Sequence, residues 1–232
     1  MVTPAKSNEQ AFEWLIEQAL VGNTKEERKH NKEIADFDTQ NPGNEKFYWG
    51  RPDDLKKELA IDTVRLWSFL NATQSEKLKE YKGKDLETAL PKQIAKIIST
   101  KGILEILRKG IDLDNLEGIK LFYPKPSEAD SEESKRLYAQ NQFCVTRQQT
   151  FSSSNKGLEI DMVISVNGLP LFTMELKNPW TGQTARYNGI KQYKEERNPK
   201  EPLLNYGRCL AHFTMDKDEV YFTTRLNEGK TF

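Results

Sequence analysis

Histidine and cysteine are both scarce in this 232-residue chain, with two of each. Cys144 and Cys209 are far apart and both sit in apolar runs, QFCVT and RCLAHF. No disulfide framework or Cys-x-x-Cys zinc pattern is available, and each is expected to be a small buried thiol. His30 and His212 alone argue against an imidazole-based hydrolase or a histidine zinc centre. Long apolar runs are also missing: none approaches the ~20 residues of a membrane span. The opening MVTPAKSNEQ has no hydrophobic signal segment, so the cytoplasm is the expected compartment and no membrane contact is expected. Finally, there is no surplus of one charge. Lys plus Arg number 35, and so do Asp plus Glu. Any contact with nucleic acid must come from a local patch or from other parts of an assembly, not from an overall field.

What is present suits a folded protein with a real core, long enough for one large domain or one domain with an extension. Ser7-Asn8-Glu9-Gln10 has capping-box form, and Phe12, Leu15, Ile16, Ala19 and Leu20 follow at helical spacing up to Gly22. A polar stretch from Asn23 to about Arg51 reads as a loop or surface insertion, apart from Phe47, Tyr48 and Trp49. Residues 53 to 82 carry a helical period, Pro91 is expected to open a helix, and a short helix follows Gly102. From about Leu116 the chain turns to strand formers: IKLFYPK, NQFCVTRQQTF, LEIDMVISV, LPLFTMELK, RCLAHFTM and VYFTTR. A helical segment over about Thr184 to Arg197 interrupts them. The order strand, strand, strand, helix, strand, strand predicts an α/β fold with a mixed central sheet flanked by helices. The expected division is a largely helical portion over 1–115, holding the first core helix and a polar insertion, and a core over 116–232.

Chemistry concentrates in residues 158–178, LEIDMVISVNGLPLFTMELKN. Two strand-like runs flank Asn167-Gly168, a hairpin signal. On the second run Leu171, Thr173, Glu175 and Lys177 share one face, and Phe172, Met174 and Leu176 the other. A two-residue turn would pair Asp161 with Met174 and turn it away from Glu175. A three-residue loop, Asn167-Gly168-Leu169, would pair Val166 with Pro170 and set Asp161 opposite Glu175. The three-residue loop is the expectation, because it gathers two carboxylates and an amine on one face. Such carboxylates repel unless a cation lies between them, and oxygen ligands favour Mg²⁺ or Mn²⁺. Glu-x-Lys by itself carries little information: it occurs five times, and only the copy at 175–177 lies in an apolar strand behind an Asp-bearing one. A salt-bridged strand edge is the competing reading.

An Asp strand, a hairpin and a Glu-x-Lys strand resemble the PD-(D/E)XK nuclease superfamily, although Ile160 stands where its proline would. The longer string NGLPLFTMELKNPWTGQTARYNGIKQYKEERNPKEPL resembles the amino-terminal nuclease domain of type I restriction enzyme R subunits. So do VTRQQTF before it and RCLAHFTMDKDEVYFTTRL after it. The resemblance is strongest from about Leu137 to Phe232. It implies that Asp161 and Glu175 bind metal with the Leu176 carbonyl, and that Lys177 is catalytic. Gln192 and Tyr193 match a Gln-Tyr element, with Gln192 implied as a further catalytic residue. A Glu on the first core helix is also implied. Glu13 is the candidate and Glu9 and Glu17 its rivals, while a solvated helix face would explain any of them.

The implied activity is Mg²⁺-dependent endonucleolytic hydrolysis of DNA. The implied partners are DNA and the methylation and specificity subunits of the complex. ATP is implied only for helicase-like motor domains, which these 232 residues are not expected to contain. Gly229-Lys230-Thr231 mimics the tail of a phosphate-binding loop, but the earlier glycine would fall at Thr224. Arg186, Lys191, Lys194, Arg197 and Lys200 could form a DNA-backbone patch, and a solvated helix face explains the same residues. Two other functions compete: a stand-alone or RecB-like nuclease, and a scaffold that docks other subunits without cutting.

Overall fold

The computed structural model describes residues 9–22, 47–155, 157–178 and 181–226. The polar stretch over 23–46 and the 229–231 tripeptide lie outside the described residues, as does the side chain of Glu9. The elements in order are α1 (Glu9–Val21), β1 (Tyr48–Trp49), β2 (Leu55–Lys56), β3 (Ile61–Asp62), α2 (Thr63–Lys79), α3 (Leu86–Lys101) and α4 (Ile103–Lys109). There follow β4 (Ile111–Leu113), β5 (Leu116–Ile119), α5 (Glu132–Ala139), β6 (Phe143–Thr150), β7 (Glu159–Val166) and β8 (Leu169–Leu176). A helix α6 spans 185–196, its stretches Ala185–Gly189 and Gln192–Glu196 wound as π-type turns. Strands β9 (Ala211–Met215) and β10 (Val220–Thr223) come last.

Six strands form one mixed sheet in the order β1-β6-β7-β8-β9-β10. The pairs β1·β6 and β8·β9 are parallel and the rest antiparallel. Strand alternation sends one set of side chains to each face. On one face Val145, Met162, Met174 and Leu176 pack with Val21 and the apolar stripe of α1. On the other, Val163 joins Tyr193 of α6 and Leu203, Leu204 and Cys209 of the segment that follows. A third cluster unites Leu66, Phe69 and Leu70 of α2 with Leu90, Ile94 and Ile98 of α3, and with β4, β5 and Leu169. Each such fully buried aliphatic contributes roughly 1.5–3 kcal/mol. Both cysteines are buried and free, as expected. Among the described residues, no helix is long and apolar enough to cross a membrane.

The hairpin corrects one expectation while keeping its consequence. Val166 pairs with Leu169, so the turn has two residues, not three. Asn167 (φ 51°) and Gly168 (φ 80°) both take the left-handed conformation that a tight hairpin of matching twist requires. A Cβ at Gly168 would fall 2.1 Å from the Asp62 carbonyl oxygen. The buried Asn167 amide donates to the Leu121 carbonyl at 2.9 Å and to Asn141 Oδ1 at 3.0 Å. The register is then reset further along: Ser165 pairs with Pro170 but Ile164 with Phe172, leaving Leu171 as an extra residue on β8. This bulge sets Asp161 across from Glu175.

Two helix starts also move. Pro91 lies inside α3, which begins at Leu86 after Asp85, whose carboxylate accepts from the Thr88 amide at 3.1 Å. An acidic N-cap so placed satisfies amides that a proline start would leave open. The helical period over 53–62 is not realised: those residues form a short 3₁₀ turn and β2 and β3, and Asp62 caps α2 through the Arg65 amide. Of IKLFYPK only Ile119 lies in a strand, the end of β5 in a separate two-stranded sheet.

Candidate metal centre

β7 and β8 bring Asp161 and Glu175 to the face covered by α6, and Lys177 follows one residue beyond the end of β8. Its amide donates to the Met215 carbonyl at 2.8 Å, which carries the parallel ladder with β9 past Leu176. Asp161 is fixed from the neighbouring strand: its Oδ2 accepts the Leu176 amide at 2.7 Å. The Lys177 ammonium donates to the Leu176 carbonyl at 2.9 Å and stands 3.8 Å from the same Asp161 oxygen. Asp161 keeps 21% of its side chain exposed and Lys177 6%, whereas that of Glu175 is wholly buried. The open side of the cluster is therefore the Asp161 side.

Glu175 Oε1 accepts Arg197 Nε at 2.7 Å, and another nitrogen of the same guanidinium donates to the Glu159 carbonyl at 2.9 Å. Glu175 Oε2 is buried with no hydrogen-bond donor. Burial pushes the Glu175 carboxyl up to about 8; the Asp161 charge adds to this, and Arg197 and Lys177 pull it back. A buried carboxyl oxygen without a donor is costly, and once ionised it suits a cation. The donor set available beside it (Asp161, Glu175 and the Leu176 carbonyl) is all oxygen, which suits a hard ion. Lys177 would share the Leu176 carbonyl with that ion. Among the described residues, no three His, Cys, Asp or Glu side chains gather as a metal group, so a protein carbonyl is needed to complete any three-donor set.

Glu13 and Glu17, whose rivalry the sequence left open, are both buried, and both hold Arg147, at 2.7 and 3.1 Å. Arg147 pairs with Met162, so this ion cluster belongs to the α1 face of the sheet. Burial raises the Glu13 carboxyl, Arg147 lowers it, and the Asp161 charge reaches it as a smaller raising influence. The structure gives Glu13 to Arg147, with the Asp161 charge near enough to act on it. Gln148, next to Arg147 and level with Asp161, takes φ 53°, and the β6·β7 ladder skips it. Nothing in the composition signals Arg147 beyond its position inside an otherwise buried strand.

On α6, Gln192 is half-buried and Tyr193 buried. The Tyr193 hydroxyl lies 2.8 Å from Thr173 Oγ1, which is 2.7 Å from His212 Nδ1. Burial lowers the His212 pKa to about 4, so its ring is neutral. Gly189 lets α6 approach β9, since a Cβ there would fall 1.7 Å from Thr214 Oγ1. Of the proposed backbone-binding residues, Arg186, Lys191 and Lys200 are exposed and Lys194 is half-buried. Lys191 is 3.7 Å from Glu195. Arg197 departs from that group: it is turned inward, because the carboxylate of Glu175 needs a buried counter-charge.

A mixed six-stranded sheet flanked by helices, with acidic residues gathered on its middle strands, is a restriction-endonuclease-like architecture. The family model for the type I restriction enzyme R protein N terminus matches residues 50–231, and the chain belongs to that family. The match covers the strand, hairpin and helix strings that carried the resemblance. No curated protein matches the chain.

Proposed function

We propose that this domain is the nuclease of a type I restriction enzyme R subunit and hydrolyses DNA phosphodiester bonds with Mg²⁺, or Mn²⁺, held by Asp161, Glu175 and the Leu176 carbonyl. The observation that carries the reading is Glu175 Oε2, a buried carboxylate oxygen with no donor, on the same face as Asp161 and beside Lys177. When bound, the ion would polarise a phosphoryl oxygen and lower the pKa of a water. The chain's own residues do the rest. The Leu176 amide fixes the Asp161 carboxylate, and Arg197 fixes one oxygen of Glu175. Lys177, between Asp161 and the Leu176 carbonyl, presents a cationic donor to the charge that builds on the phosphate. Family membership supports the further reading that DNA arrives through ATP-driven motor domains of the R subunit, in complex with methylation and specificity subunits. Sequence selection then rests with those partners, and this domain needs only backbone contact.

Calorimetric titration of Mg²⁺ and Mn²⁺, beside Asp161→Ala and Glu175→Ala, tests the site. Binding in the parent that disappears in both variants, together with Mn²⁺-dependent nicking of supercoiled plasmid that also disappears, is the expected result. Binding that survives in both variants, or a parent that binds no metal even with DNA present, overturns it and favours a non-cutting scaffold.

A further inference from the structure

Four arginines are buried among the described residues. Arg147 holds Glu13 and Glu17, Arg197 holds Glu175, and Arg65 donates to Gln142 Oε1 at 3.3 Å and lies over the Tyr48 ring. The fourth, Arg208, is only 5% exposed, and its Nη1 is buried with no hydrogen-bond partner. Among the described residues it has no carboxylate partner, and burial lowers its pKa to about 10. An uncompensated buried charge is strongly unfavourable, so a counter-charge is called for. Arg208 lines a cavity of about 300 Å³ between the end of α3 and the segment after α6. Lys96 and Lys200 also line it, both exposed, as do Ser99 and Asn205. Glu58 is its one acidic lining residue and is exposed, leaving three cations against one anion.

The end of a helix would ordinarily repel an anion through its free carbonyls. Here one of the last four is occupied, Ile98 O by the Gly102 amide at 2.8 Å, and the cations lining the cavity oppose the rest.

We infer that this cavity is a phosphate-group site, with the Arg208 guanidinium at its floor and Lys96 and Lys200 at its rim. A guanidinium offers paired donors to two oxygens of one tetrahedral anion, and two flexible ammonium groups add charge without demanding geometry. The cavity is larger than a phosphate ion, so the group can be part of a larger molecule: a backbone phosphate of DNA, or a free phosphate or nucleotide. The site is separate from the Asp161–Glu175 cluster, and its existence does not depend on the nuclease reading.

The test is inorganic phosphate binding in EDTA, read by thermal melting and calorimetry, with sodium chloride at equal ionic strength as reference. The parent is expected to show a saturable rise in Tm that chloride does not reproduce. Arg208→Met removes the buried charge at similar volume. It is expected to melt no lower than the parent without phosphate and to lose the phosphate response. Lys96→Ala/Lys200→Ala changes only exposed side chains and is expected to weaken phosphate on the order of tenfold. A parent with no saturable response, or equal responses in parent and Arg208→Met, overturns the site. Should Arg208→Met fail to fold, unchanged phosphate affinity in the lysine double variant overturns it instead. Duplex DNA in EDTA, followed by anisotropy, identifies the source among supporting outcomes. Displacement of DNA by phosphate, with weakened DNA binding in the variants, assigns a backbone phosphate. Phosphate binding lost in the variants with unchanged DNA affinity assigns a free phosphate or nucleotide.

Discussion

Arg197 Nε lies 2.7 Å from Glu175 Oε1, and the two side chains are 6% and 0% exposed. An arginine from the end of the helix thus supplies the counter-charge to a carboxylate on the central strand. Above about pH 8, where Glu175 is ionised, Arg197→Met leaves that carboxylate buried without its ion partner, and the expected cost there is about 3–5 kcal/mol. Adding Glu175→Leu removes the stranded charge and is expected to recover most of that loss. Urea unfolding of the parent, the single variant and the double variant measures both; a double variant no more stable than the single one would refute the pairing as the cause.

The Glu175 carboxyl, raised from its ordinary 4.5 to about 8, makes the metal-free protein sensitive to pH. Between those two values the native carboxyl keeps a proton that the unfolded chain has released. The unfolded state then binds fewer protons, so stability is fully present below about 4.5 and falls as pH rises towards about 8. Glu175→Gln is expected to flatten this dependence in metal-free unfolding curves. Under the proposed function the proton must leave before a metal binds, so metal affinity is expected to rise about tenfold per pH unit up to about 8.

Arg147 is held by two glutamates, and losing the arginine strands both. Arg147→Met is expected to destabilise by at least about 3 kcal/mol. Glu13→Gln keeps the second glutamate on Arg147, at 3.1 Å, and is expected to cost less. Because Glu13 is engaged by Arg147, this variant should also leave metal affinity within about a factor of three, or under 1 kcal/mol. A loss matching that of Asp161→Ala would return Glu13 to the metal ligands.

Gly189→Ala places a methyl 1.7 Å from Thr214 Oγ1 and 2.8 Å from its Cβ. The overlap must push α6 from β9, at an expected cost of about 1–3 kcal/mol. Thr214→Ala in the same chain removes the Oγ1 contact and that of Cγ2 at 3.3 Å but keeps the Cβ, so it should restore part of the melting temperature and not all of it.

The sequence by itself determined the sheet-forming runs from Phe143 onward, the helix between β8 and β9, the buried thiols and the family. These follow from local pattern: alternation, capping residues and one long distinctive string. It also singled out Asp161, Glu175 and Lys177 as a possible cluster, because two strands joined by a short turn are neighbours whatever the rest of the chain does. Tertiary structure alone decided how they meet. The turn has two residues, and a bulge at Leu171 performs the one-residue shift that a longer loop was expected to perform. A bulge has no local signature when its extra residue is an ordinary leucine. The partners of the buried charges were equally hidden. Arg197 reads as one more cation on a charged helix, and Glu13 and Glu17 read as a solvated helix face. Each finds its counter-charge at a separation of 22, 134 or 130 residues. Local pattern carries no information about contacts so distant, and only the packing of α1 and α6 on opposite faces of the sheet brings them about.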